Sequence, residues 1–278
     1  MNKDCITTST IRSRKEAGEP ITMLTAYDAA FARLFDEAGI DMLLVGDSVG
    51  NTMLGYESTL PVTMDDMLHH VRAVSRGAKR AMVVADMPFM SYQTSVENAL
   101  YNAGRFLKET GAQSVKLEGG AAVAPAVRAM TSVGIPVVGH LGLTPQSVNQ
   151  FGGFKVQAKD VEAAQQLLDD ARLLESSGAF AIVLECVPAA LATKVSQALT
   201  IPTIGIGAGN GCDGQVLVMH DLLGLTPGFK PKLAKVYRSL AAEVIGAAQE
   251  YAQDVKTRRF PAPENCFSIK DDVLEKLY

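Results

Sequence analysis

The sequence has no tryptophan, few other aromatic residues and no long apolar run. No window approaches the roughly 18 consecutive apolar residues that a membrane-spanning helix needs. The N-terminal segment MNKDCITTSTIRSRKEAGEP also lacks the apolar stretch of a signal peptide. We therefore expect a cytoplasmic protein with no membrane partner.

Cysteine is scarce too, and the positive charges are dispersed. The four cysteines form neither a CxxC pair nor a regular framework, which fits a reducing compartment. The formal net charge is −4, and no run of Lys and Arg provides the basic surface of a nucleic-acid-binding protein. These features favour a protein that acts on a small molecule and has no nucleic-acid partner.

The sequence does contain a repeated alternation of short apolar runs and helical segments. The apolar runs are too short for buried helices and are bounded by glycine or polar residues, which predicts buried strands of a parallel sheet. The predicted strands are Ile21–Tyr27, Met42–Gly46, Met82–Asp86, Ser114–Glu118, Pro136–His140, Phe180–Glu185, Thr203–Gly207 and Val216–His220. The predicted helices between them include Met64–Lys79, Ser95–Glu109, Ala121–Val133, Asp160–Ser177 and Ala189–Leu199.

Strands that alternate with helices in this way predict a (β/α)8 TIM barrel, and 278 residues suit one such domain. The seventh helix is predicted to be short or missing, because only Ala208–Gln215 separates the last two strands. We expect a single barrel domain over residues 1–278, with an N-terminal segment 1–20, a closing helix Lys232–Lys256 and a C-terminal tail 257–278. An open doubly wound sheet is the alternative fold.

Candidate functional residues lie where these apolar runs end. The stretch IDMLLVGDSVGN places Asp47 and Ser48 directly after a predicted strand. Other polar residues at or near strand ends are Asp86, Lys116, Glu118, His140 and Glu185. The C-terminal ends of barrel strands meet at one mouth, where TIM-barrel enzymes build their active sites.

The acids among these residues point to a metal ion. Several carboxylates in one poorly solvated mouth repel one another unless a cation or protons are present. Oxygen-only ligands that leave open positions suit Mg²⁺. Any single acid could instead be a helix N-cap or a surface loop residue, but that explanation does not extend to the whole set.

Two basic residues leave several roles open. Lys116 lies two positions before Glu118, so both side chains face the same side of a strand. Lys116 could bind an anionic substrate, balance the acids, or form a Schiff base if desolvation lowered its pKa. His140 could orient a ligand, or it could be a core histidine with satisfied hydrogen bonds.

Two further features imitate functional motifs. Residues Gly209–Gly214 match GxGxxG, but an apolar strand pattern follows them where a dinucleotide site needs a helix. Cys186 directly follows Glu185, and neighbours on a strand face opposite ways, so we expect its thiol in packing. Neither feature is predicted to be a functional site.

Six segments together carry a family resemblance: LLVGDSVGNTMLGYESTLPVTMDDMLHH, VVADMPFMSY, VKLEGG, PVVGHLGLTPQSVNQFGGFKVQ, VLECVP and IPTIGIGAGNGCDGQVLVMHDLLG. They resemble the 3-methyl-2-oxobutanoate hydroxymethyltransferase family, also called ketopantoate hydroxymethyltransferase, from about Ile21 to Pro231. The resemblance implies a barrel of the phosphoenolpyruvate/pyruvate-domain type, a Mg²⁺ site, 5,10-methylenetetrahydrofolate as cosubstrate and a homo-oligomer, usually a decamer.

The resemblance also implies a role for each residue at the mouth. Asp47 and Asp86 match metal ligands that also contact the substrate. Glu118 matches a third metal-site acid, which acts directly or through water.

Ser48, Lys116 and His140 match residues that contact the keto acid, and Glu185 matches the general base. The implied reaction transfers a hydroxymethyl group from 5,10-methylenetetrahydrofolate to 3-methyl-2-oxobutanoate through a Mg²⁺-stabilised enolate. It gives 2-dehydropantoate and tetrahydrofolate in pantothenate biosynthesis. The alternatives are a Schiff-base aldolase that uses Lys116, and a non-catalytic barrel that binds a small acid. The loop Leu141–Lys159 is expected to help form the folate pocket.

Overall fold

Eight parallel strands close into a barrel in sequence order, each paired with the next and the last with the first. They are β1 (Ile21–Thr25), β2 (Met42–Val45), β3 (Met82–Asp86), β4 (Ser114–Glu118), β5 (Val137–Gly142), β6 (Ala181–Glu185), β7 (Thr203–Ile206) and β8 (Gly214–Leu217). The structure is a computed structural model that describes residues 5–153, 156–226, 228 and 231–277. It confirms the predicted (β/α)8 barrel and excludes the open sheet.

Helices lie between most of the strands and follow the last one. They are α1 (Thr8–Ala17), α2 (Ala29–Glu37), α3 (Val49–Thr52), α4 (Met64–Gly77), α5 (Val96–Thr110), α6 (Ala124–Ser132), α7 (Val148–Phe151), α8 (Val161–Ser176), α9 (Ala189–Ala198), α10 (Met219–Leu223), α11 (Leu240–Lys256) and α12 (Asp271–Leu274). Short 3₁₀ turns cover Pro145–Ser147 and Pro263–Asn265. The two long connections after β2 and β5 therefore contain short helical turns.

Local sequence explains where these helices begin and end. The Asp28 carboxylate accepts hydrogen bonds from the N–H groups of Ala30 and Phe31, as expected of an N-cap. Glycines after the helices take the left-handed conformation that a side chain resists: φ is 85° at Gly111 and 100° at Gly178. Each of these helices thus ends at a glycine from which the chain enters the next strand.

The seventh βα unit has no helix, as predicted. The fully described residues 207–213 connect β7 directly to β8. A Cβ at Gly211 would collide with Thr193 of α9, so this glycine allows close packing. The GxGxxG pattern is therefore a packing feature of the barrel and does not open a helix.

The predicted helix Lys232–Lys256 is wrong over its first two turns, because the observed helix begins at Leu240. Leu233 packs against the barrel core. The N–H groups of Tyr237 and Arg238 donate to the carbonyl of Leu222 at 2.8 and 3.3 Å. Contacts with residues distant in sequence therefore replace the helical hydrogen bonds expected over residues 232–239.

Apolar side chains from successive strands fill the barrel. The buried cluster includes Met23, Met42, Leu44, Met82, Val84, Val138, Val183 and Ile204. Ile6 and Ile11 of the N-terminal segment join this cluster, and Ile11 is fully buried. Helix α1 therefore covers the N-terminal end of the barrel, so the N-terminal segment has a structural role.

Charged side chains fix α1 at that end. We call Arg14, Lys15, Arg80, Asp41 and Asp213 the N-terminal clamp. Arg14 and Arg80 lie 2.8 and 3.5 Å from Asp41 carboxylate oxygens, and Lys15 Nζ lies 3.0 Å from Asp213 Oδ2. Lys15 Nζ also donates to two backbone carbonyls at 2.7 and 2.9 Å. Each base of the clamp therefore has an acid partner.

The described chain divides into two compact units. The first runs to residue 219, includes 231–235 and contains the barrel. The second comprises the described residues of 220–230 and 236–277 and contains α11, which has no buried residue. The expected single domain stays a prediction, and residues 1–4 and 278 of its terminal segments lie outside the described residues. Across the described helices, none could span a membrane.

Candidate active site at the barrel mouth

The strand register brings the predicted acids and bases to the C-terminal end of the barrel. β3 and β4 pair so that Asp86 lies beside Lys116, and β4 and β5 pair so that Glu118 lies beside His140. Asp47 follows the end of β2 and is as deeply buried as these four residues. The prediction that residues distant in sequence meet at this end is therefore correct.

Asp47, Asp86 and Lys116 are in direct contact. The Asp47 backbone N–H donates to Asp86 Oδ2 at 3.0 Å. Lys116 Nζ lies 2.8 Å from Asp86 Oδ1, yet no donor in the described part of the chain reaches that buried oxygen in hydrogen-bond geometry. A Cβ at Gly46 would lie 2.8 Å from Ser48 Oγ, so glycine allows the tight turn that carries Asp47.

Glu118, His140 and Glu185 form a second connected group. His140 Nδ1 lies 3.3 Å from Glu118 Oε1, and His140 Nε2 lies 3.2 Å from Glu185 Oε2. The Glu185 side chain is 15% exposed, compared with 4% for Glu118 and 5% for Asp86. Glu185 is therefore the most accessible of these three carboxylates.

Burial and mutual repulsion make two of the acids weaker than usual. Burial raises the pKa of Asp47 to about 8, and the charges of Asp86 and Glu118 add to the effect. Burial also raises the pKa of Asp86 against the opposing effect of Lys116. The pKa of Glu118 is lowered, because His140 and Lys116 outweigh its burial. The acids at the mouth are thus not fully compensated by the bases.

The two bases are both held in their charged forms. Burial alone would lower the pKa of Lys116, but the charges of Asp86 and Glu118 raise it above its ordinary value. Burial and the charge of Lys116 oppose protonation of His140. The nearby carboxylates of Glu118 and Glu185 outweigh them and raise the pKa of His140 to about 8. The pKa shifts of both side chains therefore favour their charged forms, and Lys116 Nζ and His140 Nδ1 lie 3.1 Å apart.

Ser48 is held by a residue that the sequence did not single out. The Tyr27 hydroxyl lies 2.8 Å from Ser48 Oγ, and either oxygen can donate. Tyr27 is buried, and burial raises the pKa of its hydroxyl, which stays protonated. Ser48 is thereby fixed next to Asp47.

Gln146 and Tyr92 are the main residues that the sequence analysis missed. Gln146 Nε2 donates to Asp47 Oδ2 at 2.9 Å, and its backbone N–H donates to Glu118 Oε2 at 3.0 Å. The Tyr92 hydroxyl donates to Gln146 Oε1 at 2.6 Å. Both residues lie in connections after strands, and the only signal was the unusual length of the loop that contains Gln146.

Cys186 agrees with its expected inert role. Burial, with the neighbouring charge of Glu185, raises the pKa of its thiol to about 11. A protonated, partly buried thiol is a poor nucleophile. Cys186 therefore does not compete with Glu185 as a reactive group.

The donor set fits a hard divalent cation. Asp47 and Asp86 offer carboxylates whose pKa values are raised chiefly by burial, and Asp86 Oδ1 lacks a well-formed hydrogen bond. Mg²⁺ is usually held by one or two carboxylates, with water and substrate oxygens completing its octahedron. No group of three or more His, Cys, Asp or Glu residues among those described has the arrangement of a preformed metal site. A site with two direct carboxylate ligands is therefore the arrangement that these side chains fit.

Comparisons with known proteins agree with one another over nearly the whole chain. The family described as Ketopantoate hydroxymethyltransferase matches residues 5–263. The chain is 63% identical to the 3-methyl-2-oxobutanoate hydroxymethyltransferase of Syntrophus aciditrophicus (strain SB) over 262 residues, which cover 94% of this chain and 96% of the relative. It is 58% identical to the protein of the same name from Carboxydothermus hydrogenoformans, over 99% of this chain and all of the relative.

Solved structures with much lower identity share the barrel. A phosphonomutase from Burkholderia cenocepacia J2315, described as putative, aligns with a TM-score of 0.62 at 16% identity, over 90% of this chain and 97% of its own. 2,3-Dimethylmalate lyase, a PEP mutase/isocitrate lyase superfamily member, aligns with a TM-score of 0.55 at 17% identity, over 97% and 93% of the two chains. These similarities support the fold alone.

Proposed function

Because the chain belongs to the ketopantoate hydroxymethyltransferase family, we propose that the acidic mouth of its barrel carries out hydroxymethyl transfer to 3-methyl-2-oxobutanoate. The donor is 5,10-methylenetetrahydrofolate, and the products are 2-dehydropantoate and tetrahydrofolate, in the synthesis of pantothenate. One observation carries the proposal. At the C-terminal ends of the strands, buried carboxylates lie against the bases Lys116 and His140, and the more accessible carboxylate of Glu185 lies beside them. This is the machinery that deprotonation beside a keto group requires.

Asp47 and Asp86 would hold a Mg²⁺ ion, and Glu118 would serve as the third acid of the site. When bound, the ion supplies Lewis-acid chemistry that withdraws electron density from the keto group of the substrate. Lys116 and Ser48 lie beside these acids and would orient the substrate carboxylate and keto oxygens. The burial of Asp47 beside the charges of Asp86 and Glu118 supports a cation here.

Glu185 would act as the general base that removes the C3 proton of the keto acid. Its partner His140 lies 3.2 Å away and orients the Glu185 carboxylate. The electron pair of the C3–H bond moves towards the carbonyl, and the resulting enolate carbon attacks the one-carbon unit of the folate. Both C–N bonds of the folate methylene bridge break in the course of the reaction and are replaced by the new C–C bond and by a C–O bond to water. The proton from C3 and one proton from that water end on the two folate nitrogens, which gives tetrahydrofolate.

The environment of Lys116 argues against the Schiff-base alternative. An amine nucleophile must lose its proton, which requires a lowered pKa. The acids around Lys116 raise its pKa, and its ammonium group is paired with Asp86 at 2.8 Å. Lys116 is therefore better suited to bind an anionic substrate.

The family supports three further parts of the proposal: a cytoplasmic enzyme, a folate pocket formed partly by the loop 141–159, and a decameric homo-oligomer. Residues 154 and 155 of that loop lie outside the described residues. Sedimentation equilibrium checks the assembly directly. A mass of ten chains supports it, and a monomer contradicts it.

Solvent exchange at C3 tests the proposed chemistry without folate. We expect deuterium from D2O to enter C3 of 3-methyl-2-oxobutanoate when Mg²⁺ is present, as followed by proton NMR. EDTA should stop the exchange, and Glu185→Gln should slow it by about 10²-fold or more. Exchange at an unchanged rate in EDTA, together with a borohydride-trapped adduct on Lys116, would instead establish the Schiff-base aldolase. A barrel that only binds the acid would show no exchange.

A further inference from the structure

Gln146 touches the site through both its backbone and its side chain. It lies in the 3₁₀ turn Pro145–Ser147 that follows β5, and only 6% of its surface is exposed. Its backbone N–H donates to Glu118 Oε2 at 3.0 Å, and its amide Nε2 donates to Asp47 Oδ2 at 2.9 Å. One residue of a loop thus connects two of the acids that the mouth brings together.

The Gln146 amide can lie in only one orientation. Its Nε2 faces the carbonyl of Met87 at 3.0 Å, which can only accept a hydrogen bond, and it also donates to Asp47 Oδ2 at 2.9 Å. Its Oε1 faces the Tyr92 hydroxyl at 2.6 Å and Gln93 Nε2 at 3.1 Å, which donate. A flipped amide would place oxygen against oxygen at Met87 and nitrogen against nitrogen at Gln93.

The Tyr92 hydroxyl is itself oriented. It accepts a hydrogen bond from the Glu118 backbone N–H at 3.1 Å, so its own proton is available to Gln146. A chain of hydrogen bonds therefore runs from the backbone of β4 through Tyr92 and Gln146 to Asp47. Partners of this kind fix the orientation of metal-binding carboxylates in proteins.

The amide leaves Asp47 prepared for a ligand. Within the described residues, only Oδ2 of Asp47 accepts a hydrogen bond, and the donor is Gln146. We infer that Gln146 is a positioning residue: it holds Asp47 and Glu118 in the arrangement that binds the cation, and so couples the loop after β5 to metal affinity. This inference rests on the proposed function, because it assigns a role at the same Mg²⁺ site.

Gln146→Met tests the inference, since methionine has nearly the same shape but cannot donate a hydrogen bond. Isothermal titration of the metal-free protein with MgCl2 should give a Kd about 10- to 100-fold weaker than that of the wild type. In turnover assays, the Mg²⁺ concentration for half-maximal rate should rise similarly, while kcat at saturating Mg²⁺ should recover most of its value. A purely structural role would lower the melting temperature and leave the Kd unchanged, which would overturn the inference.

Gln113→Met is the matched control. Gln113 lies just before β4 and therefore at the opposite end of the barrel. Its Oε1 accepts a hydrogen bond from the Val83 N–H at 2.7 Å. The same chemical change there should leave the Kd for Mg²⁺ unaltered. Equal weakening by both variants would mean that general destabilisation, and not the amide of Gln146, sets the affinity.

Tyr92→Phe provides a second variant in case Gln146→Met does not fold. Loss of the hydroxyl removes one of the two donors to Gln146 Oε1, so the amide is held less firmly. Mg²⁺ affinity should therefore fall in the same direction by a smaller factor. An unchanged Kd in the variants, while the wild type binds Mg²⁺, contradicts the inference alone. A wild type that binds no Mg²⁺ removes the proposed metal site and the inference with it.

Discussion

The two ends of the barrel both bury charge, but they balance it differently. The N-terminal clamp has three bases for two acids, and the mouth has four acids for two bases: Asp47, Asp86, Glu118 and Glu185 with Lys116 and His140. At the clamp, Asp41 Oδ2 accepts hydrogen bonds from Arg14 and from the backbone and hydroxyl of Thr22. At the mouth, Asp86 Oδ1 has an ion-pair neighbour but no well-formed hydrogen bond from any described group.

This difference indicates that the charges of the N-terminal clamp serve stability, whereas those of the mouth serve the proposed function. A satisfied buried ion pair fixes the packing of α1 against the strands, and removing one partner leaves an uncompensated charge. The buried, mutually repelling acids at the mouth destabilise the ligand-free protein, and the proposed cation would relieve that cost. Perturbed pKa values of this kind cluster at functional sites. Removing a carboxylate charge should therefore lower stability at the clamp and raise the stability of the metal-free protein at the mouth.

The largest effect is expected from Asp47→Ala at the mouth. The variant loses the carboxylate that is both a proposed metal ligand and the acceptor of the Gln146 amide. Both cation binding and enolate stabilisation should therefore weaken. We expect kcat/KM to fall by about 10³-fold or more, since one strong electrostatic contact is worth about 10²- to 10³-fold. Steady-state assays of 2-dehydropantoate formation over a range of Mg²⁺ concentrations measure this loss. Activity within tenfold of the wild type would show that Asp47 is not a metal ligand.

Glu185→Gln should cost less and should affect only the proton transfer. The variant keeps the acids of the metal site, so the Kd for Mg²⁺ should stay within about twofold while kcat falls by about 10²-fold. The comparison with Asp47→Ala requires both measurements on both variants. Parallel losses of metal affinity and turnover in the two variants would contradict the separate roles of these residues.

Asp41→Ala should weaken the N-terminal clamp without altering the chemistry. Arg14 and Arg80 would lose their shared carboxylate, but their side chains are 25% and 27% exposed, which limits the cost. We expect the free energy of unfolding in urea to fall by about 2 kcal/mol. The kcat of the folded protein at 25 °C should be unchanged, and a selective loss of kcat would argue against the contrast between the two ends.

Asp47→Asn should have the smallest effect on stability, and it should stabilise the metal-free protein where Asp41→Ala destabilises it. The pKa of Asp47 is raised from 3.8 to about 8, so the folded protein binds a proton that the unfolded chain releases between these values. The stability of metal-free wild type should therefore fall as the pH rises from about 4 to about 8. His140, with its pKa raised from 6.5 to about 8, adds to this loss over the upper part of the range.

The uncharged amide introduced by Asp47→Asn removes part of that slope. The metal-free variant should melt about 3 °C above the metal-free wild type at pH 8, with a smaller difference at pH 5. Calorimetry at the two pH values measures both numbers, and Asp41→Asn is the matched change at the clamp, where melting should fall at each pH. A variant that melts below the wild type at pH 8 would show that the mouth is not electrostatically strained.

The sequence predicted the strands best where apolar runs stop at polar residues. The observed β3 and β4 have the predicted bounds, and both end in acids of the mouth. In β8 the prediction began two residues late, because Gly214 and Gln215 pair with β1 although neither is apolar. Pairing with a neighbouring strand is a long-range effect that local hydrophobicity does not reveal.

The residues of the candidate site also differ in whether the sequence alone reveals them. Asp47, Asp86, Glu118 and Glu185 could be found, because each stands at or next to a strand end. Gln146 and Tyr92 could not, because a loop residue shows its role only when the fold brings it against side chains from other strands. The hydrogen bond between Gln146 Nε2 and Asp47 Oδ2, for example, joins residues 99 positions apart.

A crystal structure with Mn²⁺ and 3-methyl-2-oxobutanoate tests the central claim most directly, since Mn²⁺ takes the oxygen ligands of Mg²⁺ and gives an anomalous signal. We expect one anomalous peak per chain at the barrel mouth, in contact with Asp47 and Asp86, and the keto acid bound to the same ion with its C3 facing Glu185. A mouth without a metal peak, or a keto acid bound away from these residues, would contradict the account.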